Sequence, residues 1–449
     1  MSRTYCVVGG GISGLVAAYR IRVLAGPQAV IRVFDPADRL GGVLRTERLA
    51  GQIMDIGAEA FIVRRPEVPA LLAELGLADR IISPTGVRTT IYSQGRLHPL
   101  PAGSVNGIPG SAAALAGLVD AATIARIAAE PDQPLHWRPG SDPAVGDLVA
   151  DRFGEQVVTR SLDPMLSGVY AGSARTIGIR AAVPTIAAAL DAGATSLTEA
   201  VRGALPTATA GPVFGAIEGG YQVLLDELIA RSGLEWVQAA VTRIASEDGG
   251  WALTDGTSRW HADAVVVAVA APQVPALLAD IAPRSAAAAG RVPIASAAVL
   301  ALALPPGTPF PPQSGVLVAT GEDLHCKAIT LSTRKWGGQS GGSGEAELLR
   351  LSFGRFGDTL ARDVSDTDLL AWALEDLDTV FGIRAEPVGM LVHRWIDALP
   401  QYGPGHGELA AELRAGLPDT LAIAGNYLDG VGVPACVTAA GAAATRVAR

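Results

Sequence analysis

A glycine loop set between a short apolar strand and a helix constrains this chain more than any other feature. The run Val7-Val8-Gly9-Gly10-Gly11-Ile12-Ser13-Gly14 contains Gly-x-Gly-x-x-Gly at Gly9, Gly11 and Gly14. Residues 5–8 read as a strand, residues 13–24 have helical spacing, and residues 30–34 are β-branched and end at Asp35. An acid about twenty residues past such a loop completes a dinucleotide-binding βαβ unit. Gly9 permits the tight turn, Gly11 lets backbone approach a pyrophosphate, and Gly14 lets the helix pack on the strand. The helix N-terminus, with Gly10, Ile12 and Ser13, then presents N–H groups to phosphates. Asp35 can accept hydrogen bonds from a ribose diol. The competing reading is a glycine-rich turn with no ligand.

The residues after Asp35 select FAD over NAD. Pro36 leads into Asp38-Arg39-Leu40-Gly41-Gly42-Val43, and Asp55-Ile56-Gly57-Ala58-Glu59-Ala60 comes next. These are two more close-approach glycine sites, which suit a ligand larger than NAD. Arg39 reads equally as a phosphate contact or a surface ion pair. Near the other end, residues 421–425 read as a strand. It leads through Asn426 and the turn Val431-Gly432-Val433 into a helix of small residues. A glycine turn opening a helix can again aim N–H groups at an electron-rich ligand, here the flavin carbonyls. An ordinary strand–loop–helix is the alternative. The cofactor domain is therefore expected to be discontinuous.

Length bounds the rest. At 449 residues, two or three domains are expected. Hydrophobic residues make up 49% and charged residues 18%, a globular balance. Net charge is −9 with no basic run, which argues against a nucleic-acid partner. The three cysteines, Cys6, Cys326 and Cys436, form no CxxC pair and read as reduced thiols. No secretory signal is visible, so a cytoplasmic location is expected. The longest apolar run, residues 294–304, is too short to span a bilayer and reads as a buried strand. Residues 111–129 are very apolar; they read as a helix packed in the core, with peripheral membrane contact left open. Residues 68–205 look mostly helical, broken by proline-rich turns. Residues 236–244, 251–253 and 260–269 suggest successive strands near one sheet, and residues 285–395 mix strands with a helix near 366–380. Residues 337–344 form a Gly/Ser loop that reads as a mobile linker.

Five further segments carry a closer resemblance. They are Gly-Arg-Leu-His-Pro-Leu-Pro at 95–101, Pro-Met-Leu-Ser-Gly-Val-Tyr-Ala-Gly at 164–172, Glu-Gly-Gly-Tyr-Gln-Val-Leu at 218–224, Ala-Asp-Ala-Val-Val-Val-Ala-Val at 262–269, and Trp-Ile-Asp-Ala-Leu-Pro-Gln-Tyr-Gly-Pro-Gly-His at 395–406. With the glycine loops, they make the chain similar, nearly end to end, to the flavin-dependent amine oxidase superfamily. Within it the chain resembles the bacterial porphyrinogen oxidases. The Ser-Gly-Val-Tyr-Ala-Gly and Pro-Gln-Tyr stretches are the most particular to that group. The resemblance implies an α/β chain with a discontinuous Rossmann-like FAD-binding domain at 1–75, 206–284 and 395–449. It further implies a mixed-sheet α+β substrate domain at 76–95 and 285–394, and an inserted helical domain at 96–205. FAD contacts fall on Gly9 to Gly14, Asp35, Pro36, Val43, Gly57 to Ala60, Val241 by its backbone, Trp395, Asn426, and Val431 to Val433. Many relatives carry Glu where this chain has Asp35, and the shorter acid puts that ribose contact in doubt.

The activity implied is dehydrogenation of coproporphyrinogen III by successive hydride transfers to FAD, with O2 as final acceptor and H2O2 released, in haem biosynthesis. Protoporphyrinogen IX is the alternative substrate. The cofactor carries the redox chemistry, so the protein needs little acid–base machinery. No catalytic base is assigned. The six histidines show no metal-ligand spacing, and no metal is expected. Substrate carboxylates suit arginine forks. At Arg65 relatives carry Lys or Arg, which implies a propionate contact for Arg64-Arg65; a solvated pair at the helix opened by Pro66 is the alternative. Gly168 and Tyr170 are read as pocket residues, with a core tyrosine as the alternative. Lys327 is weighed as a holder of water near the flavin, although the match there is poor. Product handover to a ferrochelatase and the oligomeric state are left open. The competing functions are another amine-oxidase-type flavoenzyme and a non-catalytic flavin or porphyrin scaffold.

Overall fold

The computed structural model describes residues 3–205, 211–247, 249–337 and 345–449. Apart from Gly337, the Gly/Ser stretch at 337–344 lies outside the described residues.

A five-stranded parallel sheet holds the N-terminal unit. Its strands are β1 (Thr4–Val8), β2 (Val30–Phe34), β3 (Glu235–Val237), β4 (Ala264–Val267) and the late strand Leu421–Ile423. Their order is β3-β2-β1-β4 and then Leu421–Ile423. The sheet is covered on both faces, which explains why β1 and β4 are apolar without alternation. Tyr5 and Val7 face one core, shared with α1 (Ile12–Ala25) and the helix Val433–Val447; Cys6 and Val8 face another, with Phe34 and Trp251. Register brings the strands to a common edge. Val8 lies opposite Phe34 and Val267, Phe34 opposite Val237, and Val267 opposite Ile423. The loops after these strands all leave at this C-terminal edge, where ligands of open parallel sheets bind.

A seven-stranded mixed sheet forms the second layer. It is built on β5 (Ile294–Leu304), β6 (Glu347–Phe353) and β7 (Gly389–Pro400). Residues 294–304 form the strand expected of them, and both faces are buried. Ala298, Leu300, Leu302 and Leu304 pack under the helix Asp366–Phe381, while Ala301 and Ala303 meet Leu49, Met54 and Ile56. The pairing with β7 shifts register between Ala295 and Ala297, a bulge at Ser296. A third core joins helices between 121 and 204, among them α2 (Asp163–Tyr170).

Four sequence expectations are corrected. Residues 68–205 are not simply helical: Thr89–Ser93 and Arg96–Pro99 form a hairpin on the edge of the seven-stranded sheet. It turns at Gln94-Gly95, both with positive φ. The strand Arg96–Pro99 thus lies with that sheet rather than with the helices beyond it. Residues 236–244 are not one strand: β3 ends at Val237, and Arg243–Glu247 opens a separate antiparallel meander. Residues 260–269 divide at Asp263, whose carboxylate accepts the Thr4 N–H at 2.6 Å. Residues 111–129 divide too, into the turn Ala112–Leu115 and a helix Ala121–Ala129 capped by Asp120. No described helix is long and apolar enough to cross a membrane.

Candidate active site

The first glycine loop is shaped by contacts that only glycine allows. Gly9 has φ +110°, and a Cβ there would lie 2.5 Å from the Ala268 carbonyl oxygen. A Cβ on Gly14 would collide with the Gly9 carbonyl, so α1 seats on the loop only because Gly14 has none. Gly11 differs: the nearest atom to its missing Cβ is Gly42 Cα at 3.9 Å. That position faces a slot between two glycine backbones, and a cofactor phosphate needs such a cradle. No side chain caps α1 and no acid occupies its first turn, so its positive end is left to an anion. Ile12 and Ser13 are buried there. Asp35 accepts the Gly10 N–H at 2.7 Å on one oxygen and the Ala37 N–H at 3.0 Å on the other. It thereby ties the loop to the strand end beside Pro36. Trp236 Nε1 donates to the Asp35 carbonyl at 3.2 Å, and Val241 lies half-buried in the loop after β3.

The second loop closes over the first. The Gly41 N–H donates to the Gly10 carbonyl at 2.8 Å, and Gly41 and Gly42 both have positive φ. Arg39 does not take the ion-pair reading. It forms no ion pair among the described residues, and its guanidinium braces the carbonyls of Leu40, Gly42 and Leu44. Burial pulls its pKa down. Val43 is exposed at the rim. Gly57 has no room for a side chain between the Val43 carbonyl and the Trp395 ring, and Trp395 Nε1 donates to the Ile56 carbonyl at 3.2 Å. Ala58 and Ala60 flank it, half-buried. Glu59 points elsewhere. Its buried carboxylate meets Lys335 at 2.7 Å, Arg350 at 3.4 Å and Ser332 at 3.1 Å. Burial opposes the charge, but the two cations hold the carboxyl down at about 2. Only the Glu59 backbone is left for a cofactor. Asp55 caps the helix Tyr221–Ser232 through the Tyr221 N–H, and burial pushes its pKa up to about 7.

The late segment completes the edge. After Leu421–Ile423 the chain passes Asn426 and Val431 to Gly432, the N-cap of Val433–Val447, again with no side-chain cap. Two helix N-termini therefore lie near each other, with Ser13 beside Cys436, whose thiol burial pushes up to about 11. Asn426 Nδ2 donates to the Ala398 carbonyl at 3.1 Å, and the Tyr402 hydroxyl bonds the Asn426 carbonyl.

The two most particular motifs meet. Gln401 Nε2 donates to the Tyr170 carbonyl at 2.7 Å, and Tyr170 packs edge-on against Tyr402 at 5.9 Å. Ala171, Ala295 and Ala297 form one small cluster with Phe356 and Leu399 around the Ser296 bulge. Ala171 and Asp397, both with positive φ although not glycine, border it. Tyr170 takes the core reading: it is 9% exposed, its hydroxyl donates to the Ala181 carbonyl at 3.3 Å, and burial pushes it up to about 12. Gly168 is exposed on the same helix. Arg65 takes the helix-end reading, pairing with Glu67 at 2.6 Å, while Arg64 donates to the Gly211 carbonyl at 2.5 Å. No hydrogen bond or ion pair among the described residues joins Arg65 to Tyr170. Lys327 is buried, with Nζ donating to the Gly354 carbonyl at 2.6 Å; burial and Arg355 lower it to about 7. Among the described residues no group of three His, Cys, Asp or Glu is placed to hold a metal. Sequence reasoning missed Arg350 and Lys335, whose partner Glu59 is remote in the chain, and gave Asp55 no role within its motif. Gln401 and Tyr402 were visible within a motif but carried no role.

Known proteins point the same way. The family model described as flavin containing amine oxidoreductase matches residues 12–448. The chain is 64% identical over 446 residues to the coproporphyrinogen III oxidase of Mycobacterium tuberculosis (strain H37Rv), covering 99% of this chain and 97% of that one. It is 62% identical to the coproporphyrinogen III oxidase of Mycobacterium leprae, covering 98% and 97%. A crystal structure from Exiguobacterium sp. 255-15, provisionally assigned as a protoporphyrinogen oxidase, superposes with a TM-score of 0.88 at 27% identity, covering 100% and 99%.

Proposed function

The chain belongs to the flavin containing amine oxidoreductase family, and from that premise we propose that it is an FAD-dependent oxidase converting coproporphyrinogen III to coproporphyrin III. The observation that carries the reading is the meeting of its two most particular motifs, through the Gln401–Tyr170 hydrogen bond and the edge-on pair of Tyr170 and Tyr402 in one core. The near end-to-end identity to proteins named for that reaction supports it. FAD rather than a smaller flavin is favoured by the slot between Gly11 and Gly42 and by the uncapped end of α1, which together suit a pyrophosphate.

When bound, FAD supplies the two-electron acceptor and returns those electrons to O2 as H2O2. The protein's own part is holding and orienting. Gly11 to Gly14 offer N–H groups to the phosphates while Gly9 and Gly10 shape the turn, Asp35 stands at the ribose position, and the backbone of Val241 at the adenine position. Gly57 to Ala60, Trp395, Asn426 and Val431 to Val433 border the flavin end. Trp395, fixed to the Ile56 carbonyl, keeps the seven-stranded sheet close to Gly57. Lys327 Nζ donates to the Phe353 and Gly354 carbonyls and so positions that loop. Arg64, Arg65 and Gly168 are the proposed substrate-side residues. The proposed division has an FAD part at 1–75, 206–284 and 395–449, a substrate part at 76–99 and 285–394, and a helical part over 100–205.

The test is direct. The yellow holoprotein, mixed with coproporphyrinogen III in air, is expected to develop porphyrin fluorescence and release H2O2; no gain over the autoxidation blank sinks the proposal. A higher kcat/KM for protoporphyrinogen IX would make that the principal substrate. Bound FAD that no porphyrinogen reduces under anaerobic conditions would point to a scaffold instead.

A further inference from the structure

The loop after β6 carries a cation that the protein leaves without an acceptor. Arg355 is half-buried, yet among the described residues its guanidinium makes no hydrogen bond and no ion pair. Its neighbours are otherwise engaged. Asp358 accepts the N–H groups of Arg355 and Leu360 at 2.7 and 3.2 Å. Asp163 accepts the Ala174 N–H at 2.6 Å, the Thr320 hydroxyl at 2.9 Å and the Ser173 hydroxyl at 3.2 Å. Both carboxylates attract Arg355 through space without touching it. With neither neighbouring carboxylate in contact, the planar fork keeps its donors open to a carboxylate from outside the chain, the partner a guanidinium holds through two parallel hydrogen bonds.

The loop is also held in place. Lys327 Nζ donates to the Gly354 carbonyl at 2.6 Å, on the residue just before Arg355. The Phe356 N–H, just after it, donates to the Ala171 carbonyl at 2.6 Å. The fork is therefore anchored on both sides at the C-terminal end of α2, the helix that exposes Gly168 and Val169. Fixed loop ends reduce the ordering a ligand must impose.

We propose that Arg355 binds a propionate of the porphyrinogen at the end of α2, separately from Arg64 and Arg65, with Lys327 as its positioning residue. This rests on the proposed substrate class, a ring system edged with carboxylates. It gives that class a second cationic contact, borne by the loop after β6 rather than by the segment after the Phe61–Ile62 strand.

The experiment is a titration of FAD-loaded protein with coproporphyrin III, followed by quenching of porphyrin fluorescence. Arg355→Ala is expected to raise Kd by about 10- to 100-fold, the worth of one charge-assisted pair. Arg355→Lys should recover part of the loss, because charge without the fork is retained. In turnover, KM should rise with kcat nearly unchanged, as for an interaction present in both ground and transition states. A structural role for Arg355 would instead lower flavin content or kcat. If Arg355→Ala fails to fold, Arg355→Gln takes its place in the same titration. A Kd within about twofold of wild type in any folded variant lacking the charge overturns the inference. Wild-type protein that binds no coproporphyrin overturns the proposed function as well, which separates the two failures.

Discussion

Glu59 shows how a residue placed near a ligand by sequence can be claimed by the fold. Its carboxylate sits among Lys335, Arg350 and Ser332, across the seam between the parallel sheet and the seven-stranded sheet. A carboxyl held at about 2 instead of its usual value stabilises the folded state above about pH 4.5, and that contribution is lost as pH falls toward 2. Glu59→Gln is therefore expected to destabilise the protein by on the order of 3 kcal/mol near neutral pH. The gap from wild type should close in unfolding curves run from pH 5 downward; a gap independent of pH refutes the assignment. Asp55 has the opposite sign. Its carboxyl is raised to about 7, so its contribution is present below about pH 4 and lost as pH rises to 7. Nothing in the sequence separates these two acids, because the cations that decide Glu59 lie nearly three hundred residues away. Gly14 was legible by contrast, since the steric demand is local. Gly14→Ala is expected to displace α1 from the loop and release FAD, read as loss of the yellow chromophore from otherwise folded protein.

At the scale of elements, β5 is the clearest case. An apolar run bounded by Pro293 and Pro305 reads as a strand buried on both faces, and it forms one. Its composition is uneven for a reason. The face with Leu300, Leu302 and Leu304 meets a helix, while Ala301 and Ala303 leave room for Leu49, Met54 and Ile56, on and just after the paired strands Thr46–Leu49 and Gln52–Asp55. Ala301→Leu should overpack that side at a cost of about 1–3 kcal/mol, visible as a lower Tm with the flavin spectrum retained. An unchanged Tm would mean the two layers are not tightly packed there. The hairpin Thr89–Pro99 was misread because Pro99 and Pro101 suggested breaks between helices. The β-branched Thr89, Thr90 and Ile91 and the Gln94-Gly95 turn were the signals for it.

For the whole molecule, local pattern revealed the separate pieces of the cofactor edge but not the way they assemble. The common edge at Val8, Phe34, Val237, Val267 and Ile423 exists only through pairings between strands from three distant stretches. A fragment of residues 1–62 is accordingly expected to retain no FAD, whereas the full chain does; flavin co-eluting with that fragment would contradict the assembly. The same edge sets a timetable. The chain is made from its N-terminus, yet the strand Leu421–Ile423 and the helix behind it leave the ribosome long after β1 and its glycine loop. The N-terminal loop must wait with an open phosphate cradle until that late strand arrives, so flavin capture follows the making of the segments between them.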